Sequence, residues 1–210
     1  MQAPSPSSSA EARIPVVGIG ASAGGLEAIG ELLAALPAKM GMAFLVVLHL
    51  DPDRASMLAD LLGKKTEMPV TEVVDGMTIE QDHVYIIPPN RFLALEQNGL
   101  HLQPRPQQRY PSMPVDVLFA SIAKERGHDA IGIILSGHGS DGARGVRAIQ
   151  ETGGITFAQD DASAAFPGMP RAAVATGCVD FVLSPSAIAA KLTELREHPY
   201  IRQLPAPASD

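Results

Sequence analysis

The sequence predicts an α/β fold, a three-layer α/β/α sandwich built on a mostly parallel, doubly wound sheet with an antiparallel edge hairpin. Two observations predict this class. Short apolar runs rich in β-branched residues alternate with amphipathic helical patterns along the chain, which is typical of βαβ units. One stretch, residues 84–104, breaks the alternation and places two apolar runs around Asn98-Gly99, the dipeptide most typical of a tight hairpin.

The predicted elements follow one another in a regular order. Each apolar run that predicts a strand is followed by a helical pattern, except at the hairpin and in the proline-rich residues 104–114, which predict an extended surface loop. Asp116 follows this loop and is the predicted N-cap of the helix VDVLFASIAKERG. The strand and helix pairs are PVVGIG with LEAIGELLAAL, AFLVVLH with SMLADLLGKK, AIGIILSG with ARGVRAIQETG, and GITFAQ with a later alanine-rich segment.

Length and composition favour one folded domain. A chain of 210 residues buries enough surface for a single hydrophobic core. Residues 1–13 are rich in proline, serine and alanine, and the last residues of the segment 197–210 have a similar composition. Both segments are therefore predicted to lack fixed structure. The folded domain is therefore expected to span residues 14–196.

The charge balance and the lack of targeting patterns limit the classes of function. The chain has 16 Lys+Arg against 23 Asp+Glu, a net charge of -7, and no basic patch, so no nucleic-acid partner is expected. It has one cysteine, no secretory signal pattern and no apolar run near the about 20 residues that span a bilayer. We expect a cytoplasmic protein that does not insert into membranes.

Three strand ends carry side chains suited to catalysis, and the carboxyl ends of parallel strands are where chemistry collects in α/β sheets. Ser22 follows the first strand, and His49 follows the second. His138 and Asp141 follow the strand AIGIIL. Small residues around Ser22 permit a sharp turn that presents a nucleophile near free N–H groups at a helix start. A serine that only caps the helix is the simpler alternative.

Together, these side chains predict a nucleophilic mechanism. His49 would act as the general base for Ser22, and Asp141 would orient the imidazole and stabilise its cationic form. Simpler alternatives are that His49 is a polar residue ending a buried strand and that Asp141 is a turn residue. Sequence order does not show that Asp141 lies beside His49, so their proximity is itself a prediction.

A dinucleotide site competes for the first of these strand ends. Gly18, Gly20 and Ala23 satisfy the loose G-x-G-x-x-G/A fingerprint, and Asp51 is the candidate ribose-binding acid. However, Asp51 follows further along the chain than the about 20 residues that the fingerprint expects. This hypothesis also leaves His49 and the later strand end unexplained, so no cofactor is expected.

A metal site is the other competitor, because several candidate ligands follow the strands. Their spacing matches no known metal motif, so no metal ion is expected. The single cysteine, Cys178, is expected to begin an apolar strand as a small core residue without chemistry of its own. The candidate metal ligands are His49, Asp51, Asp53, His138 and Asp141.

Six segments, taken in order, form a family pattern. They are VVGIGASAGGLEA, VVLHLDP, YIIPPNRFLAL, PSMPVDVLFASIA, IILSGHGSDGARGVRAI, and TFAQD followed by GMPRAAVATGCVDFVL. With these segments the chain resembles the catalytic domain of the chemotaxis protein-glutamate methylesterases, the CheB family, over nearly the whole predicted domain. The family's serine, histidine and aspartate fall on Ser22, His49 and Asp141.

The resemblance implies an activity, which is hydrolysis of glutamate γ-methyl esters on a methylated chemoreceptor or related signalling protein. Ser22 would attack the ester carbonyl with His49 as base and release methanol, and water would then free the glutamate. The family's backbone oxyanion donors map onto Ala23 and His138. Some relatives also deamidate glutamine through the same acyl-enzyme. The alternatives are a non-catalytic or differently specific signalling module of the same fold and a dinucleotide-binding oxidoreductase.

Three departures from the family pattern affect these expectations. GASA stands where the best-known members read GAST, which removes a hydroxyl but keeps the Ala23 N–H group. His138 stands where the family often has methionine, so an additional imidazole is expected at the site. The family's usual form has an N-terminal receiver domain, which the residues before Ile14 are too few to supply. We therefore expect a stand-alone or excised domain, or regulation by another route.

Overall fold

The computed structural model describes residues 13–49, 57–105 and 112–197. These residues form a seven-stranded sheet, a separate three-stranded sheet, six α-helices and a short 3-10 helix at Gly127–Asp129. The strands are β1 (Val16–Ala21), β2 (Ala43–Leu48), β3 (Val70–Glu72), β4 (Met77–Thr78), β5 (His83–Ile86), β6 (Arg91–Glu96), β7 (Gly99–Pro104), β8 (Ala130–Ile134), β9 (Ile155–Gln159) and β10 (Phe181–Leu183). The helices are α1 (Gly25–Ala35), α2 (Leu58–Gly63), α3 (Pro114–Arg126), α4 (Ala143–Glu151), α5 (Gly168–Val174) and α6 (Pro185–Glu197).

The seven-stranded sheet is parallel throughout, with the order β10-β9-β8-β1-β2-β5-β3. The chain begins at the centre with β1 and adds strands on both sides, which is a doubly wound arrangement. Every residue of β1 and β2 is buried, as expected for parallel strands that are covered on both faces. The predicted parallel sheet is therefore confirmed.

Two clusters of apolar side chains fill the two faces of this sheet. Helices α1, α2 and α6 cover one face, with Ile29, Leu62 and Leu192 in its core. Helices α3, α4 and α5 and the three-stranded sheet cover the other face, where Phe119 and Val146 are buried. This arrangement confirms the predicted α/β/α sandwich.

Strand β1 carries two glycines where α3 packs closest to the sheet. A Cβ atom at Gly18 would lie 2.8 Å from side-chain atoms of Phe119 and Ile122, and one at Gly20 would lie 2.3 Å from Val115 Cγ1. The glycines let α3 lie directly on β1, with the start of the helix above the carboxyl end of the strand. Both glycines lie inside the strand, so they serve packing and do not form the phosphate-binding turn of a dinucleotide site.

Strands β6 and β7 form the predicted antiparallel hairpin. Glu96 pairs with Gly99, so the two-residue turn is Gln97-Asn98, one residue earlier than the predicted centre. The hairpin joins β4 in a sheet of its own, with the order β4-β7-β6, instead of extending an edge of the parallel sheet. Its apolar side chains, including that of Leu95, pack into the same core as α3.

Two local predictions were wrong. Helix α3 begins at Pro114 with Met113 as its N-cap, so Asp116 lies in the first turn and is not the cap. Proline suits the first turn because its missing N–H would have no partner in the helix there. Cys178 does not begin a strand but lies half-buried in the loop before β10, with its thiol 3.6 Å from Thr176 O.

Some predictions concern residues outside the described ranges. They include most of the two terminal segments and the proline-rich loop, and also Asp51 and Asp53. The domain boundaries at residues 14 and 196 therefore stay predictions. None of the helices in the described ranges is long and apolar enough to cross a membrane.

Candidate active site

The carboxyl edge of the parallel sheet brings the predicted strand ends together. Strand β1 lies between β8 and β2, so the loops that follow these three strands meet above it. The Ser22 N–H donates to Ser136 O at 2.9 Å, and the His49 N–H donates to Ala21 O at 3.1 Å. These bonds continue the strand pairing beyond the strand ends and fix the backbone of both residues.

His49 and Asp141 are hydrogen-bonded to each other. His49 Nε2 lies 3.0 Å from Asp141 Oδ2. The Asp141 side chain is 5% exposed, and the His49 side chain is 27% exposed. An ionised carboxylate only accepts hydrogen bonds, so it favours the tautomer with the proton on Nε2 and leaves the Nδ1 lone pair free to act as a base. The two side chains therefore have the proximity that the sequence prediction needed.

The start of α3 binds the Asp141 carboxylate. Oδ2 accepts a hydrogen bond from the Val115 N–H, and Oδ1 accepts one from the Asp116 N–H, both at 3.0 Å. Helix amino termini attract anions because their first N–H groups have no partner within the helix and carry partial positive charge. Three donors, including His49, therefore fix the orientation of this carboxylate before any substrate binds.

A second carboxylate, Asp116, connects α3 to α4. Its Oδ1 accepts a hydrogen bond from the Gly145 N–H in the first turn of α4 at 2.8 Å. Burial raises the pKa of Asp116 above its ordinary value, the Gly145 N–H opposes the rise, and the charge of Asp141 adds to it. The sequence indicated Asp116 only as a helix cap. The Asp116 side chain instead connects α3, which binds the Asp141 carboxylate, to α4, which begins just after Asp141.

Arg105 was predicted to lie in a surface loop. It is half-buried and lies close enough to Asp141 to interact with its charge. Its Nε donates to Arg91 O at 3.1 Å, and its guanidinium lies 5.9 Å from the centre of the Phe92 ring. Burial lowers the pKa of Arg105, and the negative charge of Asp141 partly offsets that effect. Arg105 lines a small cleft together with Leu48, the residue before His49. The sequence did not show that Arg105 lies near Asp141, because the two residues are far apart along the chain.

Ser22 does not cap α1. The N-cap is Gly24, without a side-chain cap hydrogen bond, so the simpler interpretation of Ser22 is wrong. Within the described residues no hydrogen bond joins the Ser22 hydroxyl to His49, whose ring bonds Asp141. Such bonds are often long in unliganded enzymes and shorten when substrate binds. Ser22 is half-buried at the turn between β1 and α1.

The two predicted oxyanion donors are the backbone N–H groups of Ala23 and His138. Ala23 follows Ser22 directly, and the residue before His138 packs on Ser22, since a Cβ at Gly137 would lie 2.8 Å from Ser22 Cβ. In the part of the chain that the structure describes, neither N–H donates to a backbone carbonyl. Unpaired N–H groups beside a nucleophile are what stabilisation of an oxyanion requires.

A hydrogen-bonded frame fixes the loop that carries His138. The Gly137 N–H donates to Phe166 O, and Gly137 O accepts from the Met169 N–H, each at 2.8 Å. Ser136 Oγ donates to Ala23 O at 2.8 Å and accepts from the Phe166 N–H at 3.0 Å. The sequence did not indicate a role for Ser136 or Phe166. The signal available for Ser136 was its position directly after an apolar strand.

The His138 side chain is exposed beside this frame. Its ring centroid lies 4.6 Å from that of Phe166, and the two rings are inclined at 59°. The additional imidazole that the sequence led us to expect therefore stands next to an aromatic ring that the sequence did not single out.

In the described residues, neither the metal site nor the dinucleotide site has a full set of candidate ligands. Among the described residues, no group of three or more His, Cys, Asp or Glu side chains could hold a metal ion. Asp51, the acid of the dinucleotide hypothesis, and Asp53 lie outside those residues. His49 and Asp141, which the metal hypothesis needs as ligands, bind one another.

Fold and site together define a class of protein. It is a parallel α/β domain with a serine, a histidine and a buried aspartate at the carboxyl ends of three adjacent strands, an arrangement of groups that serine hydrolases use. Comparison with known proteins narrows the class, because the model of the CheB methylesterase family matches residues 17–192. The chain therefore belongs to the CheB methylesterase family, and the resemblance in its sequence is confirmed.

Two relatives and one solved structure agree with this membership. A protein-glutamate methylesterase/protein-glutamine glutaminase of Photorhabdus laumondii is 41% identical over 174 residues, which cover 80% of this chain and 49% of that protein. The protein of the same name from Escherichia coli K12 is 38% identical over 183 residues, 84% of this chain and 52% of that protein. The chain thus spans about half the length of these curated relatives. The crystal structure of the Thermotoga maritima CheB methylesterase catalytic domain superimposes with a TM-score of 0.81 at 28% identity, covering 87% of this chain and 99% of that chain.

Proposed function

We propose that this chain hydrolyses the γ-methyl esters of glutamate residues on a methylated chemoreceptor or related signalling protein in the cytoplasm. The observation that carries the proposal is the 3.0 Å hydrogen bond between His49 and Asp141. It lies at the edge of the sheet that also carries Ser22, whose hydroxyl does not cap α1. The Photorhabdus and Escherichia relatives are named for this activity. Residues 14–196 would be the catalytic domain, which is supported by the match of residues 17–192 to the family model.

Acylation begins when Ser22 Oγ attacks the ester carbonyl carbon and His49 Nδ1 takes the hydroxyl proton. As the Oγ–C bond forms, the carbonyl electrons move to oxygen, and the N–H groups of Ala23 and His138 donate to that oxyanion. The bond to the methoxy oxygen then breaks as the oxyanion reforms the carbonyl. The imidazolium returns its proton to the leaving oxygen, so methanol departs. Asp141 stabilises the imidazolium during these steps.

Deacylation repeats the sequence with water as the nucleophile. His49 Nδ1 removes a proton from water, and the hydroxide oxygen attacks the acyl carbon within the same pair of N–H donors. The bond to Ser22 Oγ breaks, and the imidazolium returns the proton to that oxygen. The products are a glutamate side chain on the target protein and the free Ser22 hydroxyl.

Glutamine deamidation is a second candidate activity, favoured by the names of the relatives, which include protein-glutamine glutaminase. The same acyl-enzyme would form, with ammonia leaving in place of methanol and taking its proton from the His49 imidazolium. No additional group is needed, because the oxyanion donors contact the same carbonyl oxygen in an amide and in an ester. Ammonia release from glutamine-containing target protein measures this activity directly.

The test of the proposed function is methanol release from methylated receptor by the wild type and by Ser22→Ala. We expect the variant to lose about 10⁴-fold or more in turnover, because the acyl-enzyme forms on the Ser22 oxygen that the substitution removes. The matched control is Ser140→Ala, which removes an exposed hydroxyl from the loop between β8 and α4 and should leave turnover unchanged. Near-normal turnover by Ser22→Ala would contradict the assignment of the nucleophile.

A fluorophosphonate probe separates the esterase from a docking module of the same fold. An activated serine reacts with the probe, so the wild type and Ser140→Ala should be labelled at Ser22 and Ser22→Ala should not. A wild-type protein that binds receptor but neither reacts with the probe nor releases methanol would be a docking module.

A further inference from the structure

Two aromatic rings are exposed beside Ser22 and have no role in the mechanism above. Phe166 is 39% exposed, although its side chain is large and apolar. A Cβ atom at Gly24 would lie 3.2 Å from Phe166 Cδ2, so the ring lies against the start of α1, two residues after Ser22. The His138 ring is tilted against it at 59°, with centroids 4.6 Å apart. We call this pair of rings the aromatic wall.

The backbone beneath the wall is fixed. The Phe166 N–H donates to Ser136 Oγ at 3.0 Å, and its carbonyl accepts from the Gly137 N–H at 2.8 Å. The loop before it is closed by Asp160 Oδ1, which accepts from the N–H and the hydroxyl of Ser163 at 2.9 and 2.7 Å. An apolar ring exposed on a fixed backbone next to a nucleophile is suited to contact a substrate.

The strand order indicates which part of a substrate would meet the wall. His49 follows β2 on one side of β1, whereas Phe166 follows β9, beyond β8 on the other side. A leaving alcohol must lie near His49, because it takes its proton from that ring. With the carbonyl oxygen at the N–H groups of Ala23 and His138, the remaining substituent of the ester carbon points away from His49. That substituent is the acyl side chain.

We propose that Phe166 and His138 form the subsite for the acyl side chain, with the two methylene groups of a glutamyl residue lying against their rings. This proposal rests on the esterase function proposed above and adds a basis for its specificity. A glutamyl ester reaches the wall with both methylenes, whereas an aspartyl ester, with one methylene fewer, presents less apolar surface to the rings. A hydrophobic contact of this kind discriminates between side chains that differ by one methylene by roughly 10- to 200-fold.

The experiment compares kcat/KM for three peptides that differ only in the reacting residue: a glutamyl methyl ester, an aspartyl methyl ester and a glutamyl ethyl ester. For Phe166→Ala we expect kcat/KM on the glutamyl methyl ester to fall by about tenfold and the preference for glutamyl over aspartyl ester to shrink by a similar factor. The preference between methyl and ethyl ester should change by less than about twofold, because the alcohol lies on the His49 side. Phe166→Leu, which keeps apolar volume, should lie between the wild type and Phe166→Ala.

The matched control is Val174→Ala at the last residue of α5, where an apolar residue is exposed to a similar extent, 41%. It should leave all three kcat/KM values unchanged, and thermal unfolding should show that each variant is folded. An unchanged glutamyl preference in folded Phe166→Ala would overturn the subsite while leaving the esterase intact. A changed methyl-to-ethyl preference would overturn it as well, because the rings would then contact the alcohol. If the wild type hydrolyses none of the three esters, the proposed function fails and the subsite fails with it.

Discussion

The two halves of the candidate active site differ in how much of their geometry the protein fixes. In the fixed half, Asp141 receives three hydrogen bonds, from His49 and from two N–H groups at the start of α3. In the open half, the Ser22 hydroxyl makes no hydrogen bond to His49 within the described residues, and the rings of Phe166 and His138 are exposed. The difference shows that the base is oriented by the fold, whereas the nucleophile and the rings beside it are left for the substrate to engage.

The largest expected effect comes from breaking the fixed half with Asp141→Asn. The amide keeps one oxygen but places an NH₂ group where the carboxylate accepted hydrogen bonds, so the His49 tautomer with a free Nδ1 is no longer favoured. We expect kcat/KM for the glutamyl methyl ester to fall by about 10⁴-fold, as is typical when the carboxylate of a triad is replaced by an amide. Steady-state methanol release measures this loss.

The control for that variant is Asp161→Asn, which neutralises an exposed carboxylate paired with Arg171 at 3.0 Å. Asp161 lies in the loop before α5, so its replacement should leave turnover within about twofold. A loss of less than tenfold in Asp141→Asn would show that the carboxylate does not orient the base. The two halves would then not differ in the way that their hydrogen bonds indicate.

Much of the fold could be predicted from the sequence, because its signals are local. Alternating apolar and helical patterns predicted the parallel sheet, and Asn98-Gly99 predicted the hairpin to within one residue. The sequence did not reveal that the hairpin belongs to a separate sheet, since its alternating pattern is the same at the edge of either sheet. The start of α3 was predicted at the wrong residue because aspartate is a common N-cap. Asp116 instead uses its carboxylate to bind α4.

The site was predictable where its residues follow strands and not where they depend on packing between distant segments. Ser22, His49 and Asp141 could be named because the carboxyl ends of parallel strands share one edge. The role of α3 in binding Asp141 could not be foreseen, because it uses backbone N–H groups, which carry no sequence signal. Phe166 was hidden for the same reason, because its backbone N–H and carbonyl bond Ser136 and Gly137. Ser136 acts through its side-chain hydroxyl, but its partners, Ala23 and Phe166, come from distant segments of the chain.

A smaller effect is expected from moving α3 away from β1 with Gly18→Ala. The added Cβ would lie 2.8 Å from Phe119 and Ile122, which are fully buried and cannot give way without shifting the helix. We expect the free energy of unfolding to fall by about 1–3 kcal/mol, as for other overpacked cores. Urea unfolding measures this change, and a parallel loss of kcat/KM would show that the fixed half depends on where α3 lies.

Gly30→Ala is the matched control, because it adds the same methyl group to a buried glycine in α1. There the nearest atom is Lys65 Cγ at 3.6 Å, which is ordinary van der Waals contact. Replacing glycine by alanine inside a helix should then raise stability by about 0.5–1 kcal/mol. If Gly18→Ala were as stable as Gly30→Ala, the close approach of α3 to β1 would not be what fixes the Asp141 half.

The smallest effect concerns Asp116, the second carboxylate of the fixed half, and it depends on pH. Its pKa is raised in the folded protein, first by burial, so ionisation is less favourable there than in the unfolded chain. The contribution of Asp116 to wild-type stability should therefore decrease as pH rises from the ordinary value of 3.8 through the raised value, because this group loses its proton first in the unfolded chain. Asp116→Asn does not ionise, and its amide oxygen can still accept the Gly145 N–H. The stability of this variant relative to the wild type should rise across that window and stay level above it in urea unfolding at a series of pH values, with Asp161→Asn as the surface control. A flat or opposite trend would mean that burial and the charge of Asp141 do not disfavour ionisation of Asp116 in the folded protein.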